Sequence, residues 1–123
     1  MREVKFRAFI KQLKLVVPVT DLYFECKEVE CDLTNGQGET SVYSINEIEL
    51  MQYTCLKDKN GKEIFEGDVV ITDEADGLDQ VKYYKGAFYI ESLSNHNFGD
   101  ELLSDLIVEV IGNIHENPEL LEK

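Results

Sequence analysis

Tyr53-Thr54-Cys55-Leu56-Lys57-Asp58-Lys59-Asn60-Gly61-Lys62-Glu63-Ile64-Phe65-Glu66-Gly67-Asp68-Val69-Val70-Ile71 decides the fold class of this chain. Short β-branched, aromatic or aliphatic runs alternate in it with tight turn signals. Residues 53–56 are strand-like, and Asp58-Lys59-Asn60-Gly61 is a hairpin turn whose Asn-Gly pair suits positive φ at both positions. Ile64-Phe65 brings the chain back, Gly67-Asp68 turns it again, and Val69-Val70-Ile71 is a buried strand. In this reading Gly61 and Gly67 take backbone shapes that a Cβ would strain, and Asp68 holds its turn by bonding backbone amides.

The same grammar continues toward the C-terminus. Residues 73–79 form an acidic loop, and Lys85-Gly86 joins 81–84 to 87–90 as a two-residue hairpin. The 92–99 stretch is polar and loop-like. Asp100 is placed to cap one or two helical turns carrying Leu102, Leu103 and Leu106. A strand over 107–111 follows, closed by Gly112-Asn113, and Asn117-Pro118-Glu119 opens a terminal helical turn. The 107–114 stretch is apolar on both faces apart from Glu109, which predicts cover on both sides. The second cover is either the 45–51 segment or another subunit, so a homo-oligomer is expected.

Toward the N-terminus, Val4, Phe6, Ala8 and Ile10 alternate with Lys5, Arg7, Phe9 and Lys11, the period-two mark of a strand with one apolar face. Residues 13–17 extend the β character until Pro18, which is expected to bar a central ladder position. Leu22, Phe24 and Cys26 mark a second strand, and Thr34-Asn35-Gly36-Gln37-Gly38 a turn. Residues 41–52 read two ways. Ser44 and Glu47 have capping-box spacing, with Ile45, Ile48 and Met51 on one helical stripe, which predicts a short helix over 45–51. Val42 and Tyr43 pull toward strand.

These elements predict an α+β, mainly β chain. The central and C-terminal strands would make a small SH3-like, partly open barrel, extended by the N-terminal strands and carrying one or two short helices. The chain, 1–123, is expected to be a single domain, divisible if at all into 1–50 and 51–123. At 123 residues and 43% hydrophobic content, with 6 Phe and 6 Tyr, it can fill a core without disulfide or metal.

Charge excludes more than it identifies. The net charge is −13, which repels nucleic-acid phosphate and anionic lipid and attracts basic partners. Residues 1–14 run against this: five basic residues face Glu3 alone, a local +4 that leaves −17 over the rest. Cys26, Cys31 and Cys55 make an odd number, which argues against a disulfide framework and for a reducing compartment. Lys5, Arg7 and Lys11 interrupt every apolar run near the start. No stretch approaches the ~20 apolar residues of a membrane helix. A cytoplasmic protein, with no membrane partner, is expected.

The constellations of catalysis do not assemble in the sequence. His96 and His115 sit in no local motif with Cys or Ser. Cys26 and Cys31 have no second pair to complete a zinc site. An EF-hand with Gly77 as its sixth residue would begin at Thr72 and end at Tyr83, where acidic ligands are needed. Gly36-Gln37-Gly38 lacks the third glycine of a dinucleotide loop. Glu63, Glu66 and Asp68 surround a turn expected to be wet, and acid–base work wants one carboxyl desolvated. No catalytic, metal or cofactor residue is assigned. Lys5, Arg7 and Phe9 form the one nucleic-acid-like feature, two cations for phosphate and an aromatic for stacking. Gly61, Gly67, Asp68 and Gly112 are assigned as structural turn positions.

The central segment from Leu50 to Val70 resembles the signature of the YopX family of phage and prophage proteins. The opening Met1-Arg2-Glu3-Val4-Lys5-Phe6-Arg7-Ala8-Phe9 is similar to that family's start. The ending Glu109-Val110-Ile111-Gly112-Asn113-Ile114-His115-Glu116-Asn117-Pro118-Glu119-Leu120 is similar to its close. Cys55 stands where the family usually has glycine and Phe9 where it has tryptophan; Cys55 therefore predicts that no positive φ is needed there. The resemblance implies a phage or prophage origin and a mainly β fold, and it implies no activity. The resulting expectation is a non-enzymatic module that binds a host or phage protein. The alternative is a nucleic-acid-binding, or acidic nucleic-acid-mimicking, barrel protein.

Overall fold

The computed structural model describes residues 4–34, 36–72, 77–84, 86–93 and 101–121. Most of the acidic 73–79 loop, the polar stretch with His96, and Asp100, Asn35 and Lys85 lie outside them. The described residues are mainly β, in antiparallel pairings throughout, and the chain divides into two compact units at Gln52/Tyr53.

The first unit is a meander. β1 (Phe6–Ile10), β2 (Leu15–Tyr23), β3 (Glu28–Asp32) and β4 (Thr40–Ser44) follow one another, and the first half of β5 (Ile48–Lys57) returns beside β1. The hydrogen-bonded order is therefore β4-β3-β2-β1-β5. The alternation in β1 does what it predicts: Ala8 and Ile10 are fully buried and join Val17, Val29, Cys31 and Ile48 in one core.

Three local expectations are corrected here. Pro18 lies inside β2, an inner strand of the sheet, opposite Arg7. It is tolerated because at that point β2 pairs β1, and pairing with β3 begins only at Val19. The strand expected through Cys26 ends at Tyr23, and residues 24–27 turn, with Lys27 at φ 56°. The helix expected over 45–51 is a single 3-10 turn, Ile45–Glu47. Its capping box forms as the sequence indicates, with Glu47 accepting from the Ser44 N–H and Ser44 Oγ from the Asn46 N–H. Five ladder positions shared by β5 and β1 then outweigh further helix, and Ile48 begins a strand.

The second unit starts with the rest of β5, which pairs β6 (Glu63–Phe65). β7 (Asp68–Thr72), β8 (Asp79–Tyr84), β9 (Ala87–Ser92), β10 (Glu101–Leu102) and β11 (Val108–Asn113) form a second sheet, ordered β10-β9-β8-β7-β11. Among the described residues no pairing closes this sheet into a barrel. Its core is Ile64, Val70, Val81, Ile90, Leu103, Val108 and Val110. The helix expected after Asp100 is β10 followed by a 3-10 turn, Leu103–Asp105, where Leu103 is 1% exposed. The terminal turn forms as a 3-10 helix, Pro118–Leu121. β11 is not covered on both faces: Val108 and Val110 are buried, whereas Ile107 is 68% and Ile111 39% exposed. A register shift between Val110 and Gly112 turns the strand at Ile111.

Candidate functional site

The β8–β9 hairpin carries the most conspicuous outward-facing chemistry. Tyr84 pairs Ala87, so the strands are joined by a short connection in which Gly86 has φ 81°. Alternation then sorts the aromatics. Tyr83 and Phe88 are directly opposite, edge to face at 5.0 Å, on the face that carries Val81 and Ile90. Tyr84 and Tyr89 meet diagonally on the other face at 6.2 Å. Leu102 of β10 extends that second row beside Tyr89, and the Lys82–Glu91 ion pair at 2.7 Å braces it. Tyr83 is 46% and Tyr84 54% exposed. An exposed tyrosine on a paired ladder loses little rotamer freedom on binding and offers apolar area with a hydroxyl at its tip. Sequence reading took 81–90 only as a hairpin; the signal for more is its aromatic density, Tyr83-Tyr84-Lys85-Gly86-Ala87-Phe88-Tyr89.

The structure places Lys5, Arg7 and Phe9 together on the face of β1 opposite the core, each half-buried. Arg7 lies between Pro18 and Met51, and Phe9 between Val16 and Glu49, in the interior of the sheet. The Nε of Arg7 is sealed from solvent. Their neighbour Lys11 is taken by the sheet itself, 3.5 Å from Glu49 and 3.2 Å from the Asn46 carbonyl.

Cys31 and Cys26 are held in the thiol form. Burial pushes Cys31 up to about 11, and the Glu28 carboxylate holds Cys26 above its usual value. Cys55, half-buried, sits at φ 68°, contrary to the expectation from sequence. It is the bulged residue of β5: Tyr53 pairs Phe65 but Lys57 pairs Glu63, so β5 carries extra residues. The Thr54 hydroxyl bridges the gap, donating to the Ile64 carbonyl at 2.7 Å and accepting from the Leu56 N–H. His115 is half-buried, its N–H bonded to Asn113 Oδ1. Among the described residues no three His, Cys, Asp or Glu side chains cluster as metal ligands. No helix among them is long and apolar enough to cross a membrane.

The turn positions converge on the second unit's frame. Asp68, 1% exposed, accepts from the Phe65 N–H at 2.8 Å. Gly67, at φ 89°, donates to the Val81 carbonyl and accepts from the Ile114 N–H. Gly112 lies within β11 rather than in a turn, where a Cβ would stand 2.6 Å from Asn117 Oδ1. Gly61 has positive φ but Asn60 does not. The expected tight Asn-Gly turn is a five-residue loop, 58–62, organised by Asp58, which sequence reading places in the turn without its role as acceptor. Its Oδ1 accepts from the N–H groups of Asn60 and Lys62 at 2.9 Å each, and its Oδ2 from the Val110 N–H at 3.0 Å. Lys59 donates to the Val108 carbonyl, so this loop occupies the outer edge of β11.

The sequence profile of the family described as YopX protein matches residues 5–122. The crystal structure of protein EF1440 from Enterococcus faecalis superposes with a TM-score of 0.67 at 32% identity, covering 98% of this chain and 99% of that one. The crystal structure of protein yopX from Bacillus subtilis does so with a TM-score of 0.62 at 19% identity, over 97% and 96%. No curated protein matches the chain.

Proposed function

The chain belongs to the YopX family, and from that premise we propose that it is a non-enzymatic binding module, serving a phage or prophage by engaging a protein through its aromatic hairpin. The observation that carries this reading is the exposure of Tyr83 and Tyr84 at the end of the hairpin, one on each face, Tyr83 backed by Phe88 and Tyr84 by Tyr89 and Leu102. Taking roughly 100 Å² of one tyrosine out of water contributes about 2.5 kcal/mol, the size of an interface hot spot. The acidic remainder of the chain favours a basic partner by long-range attraction. For residues 51–123 we propose the SH3-like, partly open character suggested by short antiparallel strands joined through tight turns.

The test is capture from lysate of a bacterium carrying the gene, with wild type and the Tyr83→Ser/Tyr84→Ser double variant side by side. Protein retained by wild type and lost from the folded variant supports the reading. Equal capture by both, or none by either, overturns it. The nucleic-acid alternative draws on Lys5, Arg7 and Phe9, whose half-buried, mid-sheet setting supports it poorly. Binding of single-stranded DNA that falls steeply with salt and is lost in Lys5→Ala/Arg7→Ala would restore it.

A further inference from the structure

A second surface lies on the first unit, at the outer edge of β4, which no strand among the described residues pairs. Two backbone bonds fix which groups face outward there. Ile45 N–H donates to the Lys27 carbonyl and Leu33 N–H to the Glu39 carbonyl. In the shared register Tyr43 faces Val29 and Ser41 faces Cys31, so alternation gives these odd-numbered residues of β4 to β3. The N–H and C=O groups of Thr40 and Val42 therefore point away from the sheet, as does the Ser44 carbonyl. The Ser44 N–H points the same way and is already taken by Glu47. Natural edges are blunted with charge, proline or a bulge. Thr40-Ser41-Val42-Tyr43-Ser44 has none of these and keeps an unbroken five-residue register with β3.

The surroundings specify what the edge would accept. Residues 21–49 hold eight carboxylates against Lys27 alone. Asp21, Glu30 and Val42 stand in one cross-strand row on the face opposite the core. The Glu30 carboxylate accepts from the hydroxyls of Tyr23 and Thr40, which hold it below its ordinary range and so ionised. A strand added beside β4 lies about 10 Å from β3, a gap that a long basic side chain largely spans. On the opposite face an added residue would meet Tyr43, which packs on the core.

We propose that the outer edge of β4 accepts an extended segment of a partner protein in which basic residues alternate with apolar ones, added as a further antiparallel strand. Basic residues fall on the Glu30 face and apolar ones beside Tyr43. A second copy of this edge is disfavoured, because it would set Glu30, Glu39 and Glu47 against their own counterparts. The inference stands apart from the aromatic hairpin, whose failure would leave it intact.

The test measures fluorescence anisotropy with a labelled, end-blocked octapeptide alternating lysine and valine, and its glutamate–valine counterpart. Wild type is expected to bind the lysine peptide at least tenfold more tightly than the glutamate one. Val42→Pro removes one outward N–H without changing charge or the bonds to β3, and should weaken lysine-peptide binding at least tenfold while the far-UV spectrum is unchanged. Should that variant not fold, Val42→Lys repels the same peptide from an intact ladder and should give the same loss. Equal binding by wild type and either folded variant overturns the proposal, since attraction to a chain of charge −13 would then suffice. So would no binding of the lysine peptide at millimolar concentration, or a wild-type dimer in light scattering that either variant dissociates, which would give the edge to a second copy.

Discussion

Replacing Asp58 tests the frame of the second unit most directly. Asp58→Ala deletes three hydrogen bonds to a carboxylate, and leaves the Val110 N–H without an acceptor beneath a residue only 9% exposed. Bonds to charged groups contribute about 1.5–3 kcal/mol each before local relaxation, and an orphaned buried donor costs about 1–3 kcal/mol. Two of the three bonds are local to a loop that water can re-enter. The expected loss is therefore about 3 kcal/mol, a drop in Tm of roughly 10 °C for a chain of this size. Asp58→Asn keeps one accepting oxygen, loses the charge and turns its amide N–H₂ toward a backbone N–H that had an acceptor, and should cost about 2 kcal/mol. Urea unfolding should show a lower midpoint at unchanged slope. The pH dependence carries a second check. Burial alone would raise this carboxyl, but the backbone N–H groups of Val110, Lys62 and Asn60 outweigh it and hold it below its usual value. A depressed carboxyl stabilises the fold above its unfolded pKa of about 3.9, and that stabilisation is lost as pH falls through the lower folded value. The gap between wild type and Asp58→Asn should therefore be full at pH 7 and shrink below pH ~4. A loss under about 0.5 kcal/mol, within the range of ordinary surface substitutions, or a gap that stays constant into acid, would refute the reasoning.

Cys55→Gly should stabilise the fold by up to about 1 kcal/mol, read as a higher urea midpoint, because left-handed backbone costs a Cβ-bearing residue roughly 1–2 kcal/mol and glycine returns part of this as chain entropy. A fall in stability would show that the thiol's packing outweighs the strain. Gly112→Ala should destabilise by about 1–3 kcal/mol, and by distinctly less in an Asn117→Ala background, which removes the atom the new Cβ meets; equal losses in both backgrounds would place the cause elsewhere. Burial, with the Glu101 carboxylate adding to it, raises Asp79, so its ionisation opposes folding above that raised value; Asp79→Asn should raise Tm at pH 7 and make no difference at pH 3, as thermal melts at both pH values would show. If chains associate through Ile107 and Ile111, Ile111→Lys should lower the mass found by light scattering, and a wild-type mass of one chain would end that idea.

Much of the fold was legible because its signals are local. Period-two alternation places β1 and its core face, and Gly86 and Gly67 mark two turns, each from a few neighbouring residues. The corrections come where a distant partner decides. Ser44 and Glu47 do form a capping box, yet β1 claims Ile48 onward for the sheet. Pro18 is admitted to an inner strand by a register between β2 and β3 that only the assembled sheet defines. Cys55 looks like evidence against positive φ, and only the mismatch of β5 against β6 shows the bulge that demands it. Asp58 reaches an amide 52 residues away. Of the candidate surfaces, the basic β1 was written in the residues but lies mid-sheet. The aromatic hairpin was equally written, and what makes it a surface is the sorting of its rings by register with β8, β9 and β10.

The late arrival of β11 bears on how the chain is made. Each strand of the N-terminal meander finds its first partner almost as soon as it is synthesised, so that unit can assemble vectorially. β7 cannot: it pairs β8 soon after synthesis, but its other ladder, Asp68 with Asn113 through Thr72 with Val108, is supplied last. Until then the nascent chain carries an open edge with Val69 and Val70 upon it, and the Asp58 carboxylate lacks the Val110 N–H that donates to it. Contacts of such sequence separation cost loop-closure entropy before they contribute stability, and so they slow folding. A chain ending before residue 108 would therefore keep this edge of β7 unpaired, and β11 acts as the clasp that covers it.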